Sequence, residues 1–594
     1  MCSIAGYFKL NVSAVVSDEF LSYARINMRM RGPDYEAIVT LDDRCTLMHQ
    51  RLSIIDVSTE SHQPMASDDG SNATITFNGE IYNYQELSKY LKAQGVALNT
   101  TSDTEVLLKG MLQEGLSFLH QLNGMFAFAL YDADKQELTL VRDRFGVKPL
   151  HYMVQDEVVY FASHIAPLIA IKKDIRPEMS VYENFFRHTA TDYDRHTFVE
   201  GIFQVEKGSL AIINKKGLSE AAWYQGQDFS FDANVFKSES TTLAFVEQLL
   251  VDAIRIRLRA DVPICLTLSG GIDSTTIYTL IKEHFNVKVR LFTFIHPGSP
   301  TNEYEKVIKL AAEYDDYVCV VHSEGCNSFE QIQQDLAFVE FPIWGISTRA
   351  YRDMYEAIHQ GGFKVVIEGH GSDEQLGGYP YMVESACYDY LSQGRWIKAF
   401  EISKLFSATQ HEGLGVKTAA YKHFLKAIFK YWFKRSAQRS FQDNINWTFA
   451  FKILPIVLRA FDRLSMASSV ESRAPFMDYR IVECFKQLPL RYKVNRIGNK
   501  AILRQILKKY EKQYIYEDKR KIGFSSDVKK VFDDPEVKKQ AYHYIELFDL
   551  PEFEQEKQVA LSVISQQHIA WSEVFEMSKV MLVAMVNEHY GIKP

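Results

Sequence analysis

Residues 262–284 read VPICLTLSGGIDSTTIYTLIKEH. An apolar strand ends in a glycine-rich polar loop, and helical spacing begins directly behind it. The order recurs in VRLFTFI (289–295) and FKVVIEGHGSDEQLGGY (363–379), each an apolar strand closing in a polar loop. Strands alternating with helices predict an α/β domain built on a parallel sheet with crossover helices. From about residue 380 onward helical periodicity dominates.

The loop LSGGIDST (268–275) carries chemistry. Gly270 and Gly271 let the chain turn sharply and expose backbone N–H groups, while Ser269 and Ser274 add hydroxyls at the start of a helix. Such a nest, at the positive end of a helix dipole, binds phosphate oxygens. Asp273 does not favour bare phosphate and makes sense as a Mg²⁺ ligand. The lysine of a Walker loop is missing, and the stretch has instead the SGGxDS form of loops that hold pyrophosphate where ATP is cleaved between its α and β phosphates. In a second acidic loop (368–379), Asp373 and Glu374 are placed to join Asp273, because loops at the C-terminal ends of parallel strands gather on one side of the sheet.

The chain opens MCSIAGYF (1–8). Methionine aminopeptidases remove Met1 before a small residue, so Cys2 is expected to carry both a thiol and a free α-amine. Behind it come short alternating runs. AFALYDADKQELTLVRD (127–143) reads as a β-hairpin around a polar turn, and NYQELSKYLKAQG (83–95) has helical spacing with Leu87, Tyr90 and Leu91 on one side and Gly95 as its stop. This half is predicted to be antiparallel sheet with packed helices. The stretch 225–241 is polar and aperiodic, as linkers are. The expected division is residues 1–220, a linker at 221–240, and a second domain from 241 to 594.

With 594 residues the chain exceeds one compact core. A net charge of −8 argues against a nucleic-acid binder held by phosphate contacts. No apolar run approaches the roughly 20 residues of a spanning helix, and a cytoplasmic protein is expected. The seven cysteines, Cys2, Cys45, Cys265, Cys319, Cys326, Cys387 and Cys484, are scattered without a CxxC pair, so reduced thiols are the expected state.

Cys2, HQRLSIID (49–56), FNGEIYN (77–83), TSDTE (101–105) and RDRFGVKPL (142–150) together resemble the glutaminase domain of class II glutamine amidotransferases. SGGIDS, GHGSDE, DRLSMASSVESRAPFMD (462–478), GNKAILR (498–504) and RKIGF (520–524) resemble the synthetase domain of glutamine-hydrolysing asparagine synthetases. The resemblance implies an α+β N-terminal-nucleophile (Ntn) domain followed by an ATP-pyrophosphatase-type α/β domain. It implies Cys2 as nucleophile, with the Asn78 amide and the Gly79 N–H holding the oxyanion. Arg51 would take the α-carboxylate of glutamine, Glu80 and Asp103 its α-ammonium, and Leu52, Ser53, Ile54 and Ile55 would extend that pocket. In the second half Ser269, Gly270, Gly271, Asp273 and Ser274 would hold pyrophosphate, with Asp273 and Asp373 on Mg²⁺ and Lys500 neutralising phosphate charge. Leu268, Phe294, Glu368 and Gly369 would border the nucleoside.

The implied substrates are glutamine, ATP and a carboxylate acceptor, aspartate first, with ammonia passing through a channel between the domains. A homodimer is the assembly the resemblance allows. The sequence departs from the family at His370, where Glu or Gln is usual, and at His164 and Ala166 in FASHIAPL (161–168). His370 bears on the acceptor site, and His164 and Ala166 bear on the domain interface. Alternatives to asparagine synthesis are amidation of another carboxylate, such as a uronic sugar of a surface polysaccharide, or a non-catalytic scaffold; the complete motif sets weigh against the scaffold. Finally, YKHFLKAIFKYWFKRSAQR (421–439) is basic and aromatic, with Phe424, Ile428, Tyr431 and Trp432 spaced to share one side of a helix. It reads as a core helix with a solvated basic face, with a membrane surface or partner as the alternative.

Overall fold

The computed structural model describes residues 2–593 apart from 286, 296–302, 323–327, 344–347, 411–414, 434–438, 520–531 and 567–568. The RKIGF motif and the side chain of Tyr431 lie outside the described residues.

Period-two alternation in the first half builds two six-stranded sheets. One has the order β10 (Ile202–Gln204), β8 (His151–Gln155), β9 (Val158–Ala162), β1 (Ser3–Lys9), β3 (Cys45–Arg51), β2 (Tyr35–Thr40). The other runs β12 (Gly217–Ala222), β11 (Ser209–Asn214), β7 (Glu137–Arg142), β6 (Gly124–Asp132), β5 (Ala73–Ile81), β4 (Met65–Ala66). Ile4, Phe8 and Leu47 of the first meet Ala127, Leu138 and Leu140 of the second in a dry core between the sheets. Helices cover both outer faces: Phe20 and Ala24 lie on Ala5 and Tyr160, and Leu87, Leu91 and Leu107 lie on Phe77 and Phe126. This helix–sheet–sheet–helix sandwich is the α+β architecture of the Ntn fold.

The expected 127–143 hairpin forms, with Asp132 facing Glu137 and accepting from the Lys135 N–H at 3.0 Å. Helix Tyr84–Ala93 buries Leu87 and Leu91 but leaves Tyr90 40% exposed. Tyr90 lies about 100° around the helix from Leu91, outside the narrow stripe the sheet covers. Residues 225–238 are aperiodic but anchored. Glu483 accepts the N–H groups of Asp228 and Phe229 at 3.1 and 2.9 Å, and Phe236 is buried.

The second half holds a five-stranded parallel sheet in the order β15 (Val318–His322), β14 (Arg290–Ile295), β13 (Ile264–Thr267), β16 (Val365–Ile367), β17 (Glu471–Arg473). Helix Ile272–His284 packs Ile277, Leu280 and Ile281 into the core beneath it. The α/β class follows from that parallel order.

Buried ion pairs join the halves. Asp462 accepts from Arg31 at 2.8 Å and Lys148 at 3.1 Å, all three at most 3% exposed at the side chain. Arg257 and Asp478 pair at 2.9 Å, and Asp478 also accepts from the Asn123 amide at 2.9 Å. His164 sits within 3.4 Å of Glu340, which also receives Arg463 at 2.6 Å and the Ile165 N–H at 2.6 Å. His164 therefore does lie at the interface; Ala166 only begins helix Ala166–Ile171 beside it. Burial alone would raise the Asp462 pKa, and Arg31 and Lys148 instead hold it well below the carboxylate range. Asp462→Asn strands two buried cations, and a loss of about 3–5 kcal/mol is expected. Urea unfolding followed by tryptophan fluorescence measures it; an unchanged midpoint would mean the interface does not rest on this pair.

Candidate active sites

Cys2 lies just before β1 and opposite β5, buried between the sheets. Its backbone nitrogen donates to Asn78 Oδ1 at 3.2 Å. Asn78 is fully buried, and its Nδ2 finds no hydrogen-bond partner among the described residues. A buried amide without a partner is costly, so its presence beside a thiol marks a place built to receive an oxygen. Burial raises the thiol pKa; the N-terminal ammonium, the Leu52 backbone and the Arg51 charge work against it.

Gly79 supplies a second donor by strand geometry. β4 pairs with β5 only as far as Ile75, so the edge of β5 beyond it is open. N–H groups of alternate residues point to the same edge. Those of Phe77 and Ile81 are taken by Gln63 Oε1 at 2.7 Å and Asp103 Oδ2 at 3.0 Å, and Gly79 stands between them. Only glycine fits there: its φ is +153°, and a Cβ would lie 2.1 Å from the Met125 carbonyl of β6.

Around this point sit the charges the sequence singled out. Arg51 spends three of its five donors on the carbonyls of Ile55, Asp56 and Ser58, bracing its own loop and leaving two. Leu52, Ile54 and Ile55 turn their side chains onto Ile256, Val365 and Met466 of the second half. Ser53 is tied through its N–H to Asp34 at 2.7 Å. The LSII run thus fixes its loop against the other domain. Glu80 turns its buried Oε2 toward Arg473 Nη2 at 3.5 Å, and Arg473 is fully buried on β17 and bonded to Glu471. Burial and the charges of Glu471 and Asp103 push Glu80 well above the usual carboxylate range. Burial, with Glu471 adding to it, pushes Asp103 up to about 6.

In the second half the two predicted loops touch. A Cβ on Gly369 would lie 3.0 Å from the Asp273 Cβ and 3.2 Å from the Ser274 nitrogen. Ser269 and Ser274 hydroxyls lie 3.1 Å apart, Ser269 Oγ accepts the Gly271 N–H at 3.3 Å, and Gly270 takes φ +79°. Lys500, at the start of helix Ala501–Lys509, reaches Asp273 at 2.5 Å and Asp373 at 2.8 Å, and these two carboxylates push its pKa up against the effect of burial. A Cβ on Gly378 would collide with Asp373 Oδ1, so the glycine is what lets Asp373 fold back over its own loop. Asp273 Oδ1 is buried without a partner among the described residues. Two converging carboxylates with an open oxygen fit a Mg²⁺ completed by phosphate oxygens and water. The Leu268 side chain packs in the apolar core, which leaves only its backbone to the loop, and Phe294 is half-buried near the end of β14.

The sequence placed only the Glu368 backbone here, whereas the structure makes its side chain a hub. It accepts from Tyr355 at 2.8 Å, Ser472 at 2.5 Å and Thr267 at 3.2 Å, with His370 Nε2 at 3.3 Å. Burial works to raise its pKa, but His370, Ser472 and Tyr355 prevail and hold it below the ordinary value. His370 in turn stacks on Phe461 with centroids 3.4 Å apart. A small cavity of about 30 Å³ is bordered by Tyr82 and Met125 of the first half and by Phe461 and His370 of the second. Tyr355 carries no motif signal, and Ser472 lies in the 462–478 motif with no role assigned to it there; both reach Glu368 only through the fold.

A thiol set for acyl transfer in one half and a phosphate nest with paired aspartates in the other are the parts of an ATP-dependent ligase fed by glutamine. Residues 1–224 match the family model of the glutamine amidotransferase domain, and residues 246–588 match that of asparagine synthase. The chain belongs to the asparagine synthase family, the glutamine-hydrolysing ATP-dependent ligases. It is 27% identical to asparagine synthetase [glutamine-hydrolyzing] 3 of Bacillus subtilis over 85% of this chain and 84% of that one. It is 32% identical to asparagine synthetase B of Escherichia coli over 64% and 65% of the two chains. Amidase chry2 of Gibberella zeae is also 27% identical, over 83% and 82%.

Proposed function

We propose that the chain makes asparagine from aspartate, ATP and glutamine, with the unpartnered Asn78 amide beside Cys2 as the observation that supports glutamine hydrolysis most directly. With Met1 removed, the α-amine of Cys2 takes the proton of its own thiol, a transfer close to thermoneutral at the ordinary pKa values of about 8 and 8.5 and made uphill by the burial that raises the thiol pKa. The thiolate attacks the glutamine side-chain amide, and Asn78 Nδ2 and the Gly79 N–H hold the oxyanion. The Arg51 guanidinium holds the substrate α-carboxylate, and Asp103 and Glu80 hold its α-ammonium. Collapse of the tetrahedral intermediate, with a proton from the α-ammonium of Cys2, expels ammonia and leaves a glutamyl thioester that water hydrolyses to glutamate. The ammonia passes along the Met125–His370 cavity, sheltered from water that would turn it into ammonium, and displaces AMP from the acyl-adenylate formed at the second site. At the second site the acceptor carboxylate attacks the α-phosphorus of ATP, pyrophosphate leaves into the Ser269–Ser274 nest, and Lys500 shifts from the aspartates to the developing charge. Mg²⁺, held by Asp273 and Asp373, would supply charge neutralisation of the departing pyrophosphate.

One observation favours a second reading. His370 stands where the family usually has Glu or Gln, stacked on Phe461 and backed by Glu368, and this change beside the acceptor site favours a different carboxylate such as a uronic sugar. Pyrophosphate release with Mg-ATP and glutamine, assayed against aspartate and uronic sugars, decides between them. Release with aspartate supports asparagine synthesis; release with a uronic sugar alone replaces it.

The acid cluster makes a pH prediction. Asp103, with its pKa raised to about 6, is ionised above that value and neutral below it. The attraction for the ammonium of glutamine is therefore lost as pH falls, and KM for glutamine is expected to rise by up to about tenfold per pH unit below 6. A KM flat between pH 5 and 7 in initial-rate assays of glutamate release would remove Asp103 from the substrate site.

A further inference from the structure

Residues 415–439 hold seven lysines and arginines and no aspartate or glutamate, in a chain whose net charge is −8. Helix Gly415–Phe433 spans most of them. Its inner side is held by Ala420 and Ala427, which are buried, and by Phe424 and Ile428, which pack partly buried against a helical cluster with Met382 and Leu391. Phe424 meets Phe400 of helix Trp396–Gln410 edge-on at 5.2 Å, so the helix is fixed to its neighbour. Trp432 does not share that inner side. It is 67% exposed, in line with Tyr421 at 56%, Leu425 at 47% and Phe429 at 61%.

The spacing of these four, i, i+4, i+8 and i+11, makes one continuous stripe along the outer face. Lys422 and Lys426 are exposed on its flank, and Lys430 pairs with Glu384 at 3.1 Å. On the adjoining helix Trp396 and Ile397 are 44% and 79% exposed. A core helix with a solvated basic face would turn its large apolar residues inward; this one splits them, and its outer set faces water together with the lysines. No helix among the described residues is long and apolar enough to cross a membrane.

We propose that this helix docks on an anionic membrane surface. Tyr421, Leu425, Phe429 and Trp432 enter the boundary between headgroups and acyl chains, where amphipathic aromatic rings are favoured. Lys422 and Lys426 lay their aliphatic stems along the stripe and carry their ammonium groups to lipid phosphates. Charge selects this occupant over a second copy of the chain, because face-to-face packing of two such helices would bring two strongly basic segments together. Docking does not depend on which carboxylate is amidated.

Co-sedimentation of the full chain with phosphatidylcholine vesicles and with mixed phosphatidylcholine–phosphatidylglycerol vesicles tests it. Binding to the mixed vesicles is expected, weak binding to the neutral ones, and release as salt rises. The double variant Phe429→Glu, Trp432→Glu should lower binding at least about tenfold, with glutamine hydrolysis unchanged as the sign of an intact fold. Lys422→Glu, Lys426→Glu should erase the preference for phosphatidylglycerol while leaving the stripe apolar. Absence of binding to the mixed vesicles overturns the proposal. So does a vesicle-free dimer that the Phe429→Glu, Trp432→Glu variant dissociates, which would give the stripe to a second copy.

Discussion

Cys2→Ala is expected to lower glutamine-dependent amidation by at least about four orders of magnitude, while amidation from added ammonium salts stays near wild type. The thiol is the nucleophile of the first site only, and the substitution removes the sulfur atom from a position that is already buried and well packed. Asn78 keeps its place on β5 in the variant, so the oxyanion donors and the cavity leading to His370 are undisturbed. Parallel assays with glutamine and with ammonium chloride at fixed free ammonia give the answer. Equal loss of both activities would mean that the two halves do not work as separate sites joined by ammonia.

The complementary substitution is Asp273→Asn. Here the shape of the loop is preserved and one charge is removed from the pair that Lys500 bridges. Acyl-adenylate formation, read as pyrophosphate release with the true acceptor, should fall about a hundredfold to a thousandfold, and glutamine hydrolysis at Cys2 should persist. The loss should deepen at low Mg²⁺ and be partly recovered at high Mg²⁺, since Asp373 still offers a carboxylate. Pyrophosphate release near the wild-type rate would place the reacting phosphates elsewhere.

These variants separate the sites, but the structure joins them along β17. Arg473 on this strand approaches Glu80 in the glutaminase half, and Ser472, pointing to the opposite face, donates to Glu368 beside His370. Much of DRLSMASSVESRAPFMD lies at the domain boundary for the same reason. Asp462 takes Arg31 and Lys148, and Asp478 takes Asn123.

The sequence by itself determined the two architectures and the two chemical centres. Period-two runs such as 127–143 encode half-buried antiparallel strands locally. A glycine pair between an apolar strand and a helix encodes a phosphate nest within a few residues, and a cysteine next to the initiator methionine needs no partner to announce an amine and a thiol together. What depended on distance along the chain was decided by tertiary structure. Nothing near Asn78 in sequence says that Gln63 and Asp103 occupy the neighbouring N–H groups and leave Gly79 between them. Nothing near Glu368 names Tyr355, or Ser472 more than a hundred residues onward, as its donors. The basic helix shows the limit most plainly. Helical spacing groups Phe424, Ile428 and Trp432, but which arc of a helix is covered depends on the neighbour it meets, and the helix Trp396–Gln410 covers Phe424 while Trp432 stays 67% exposed.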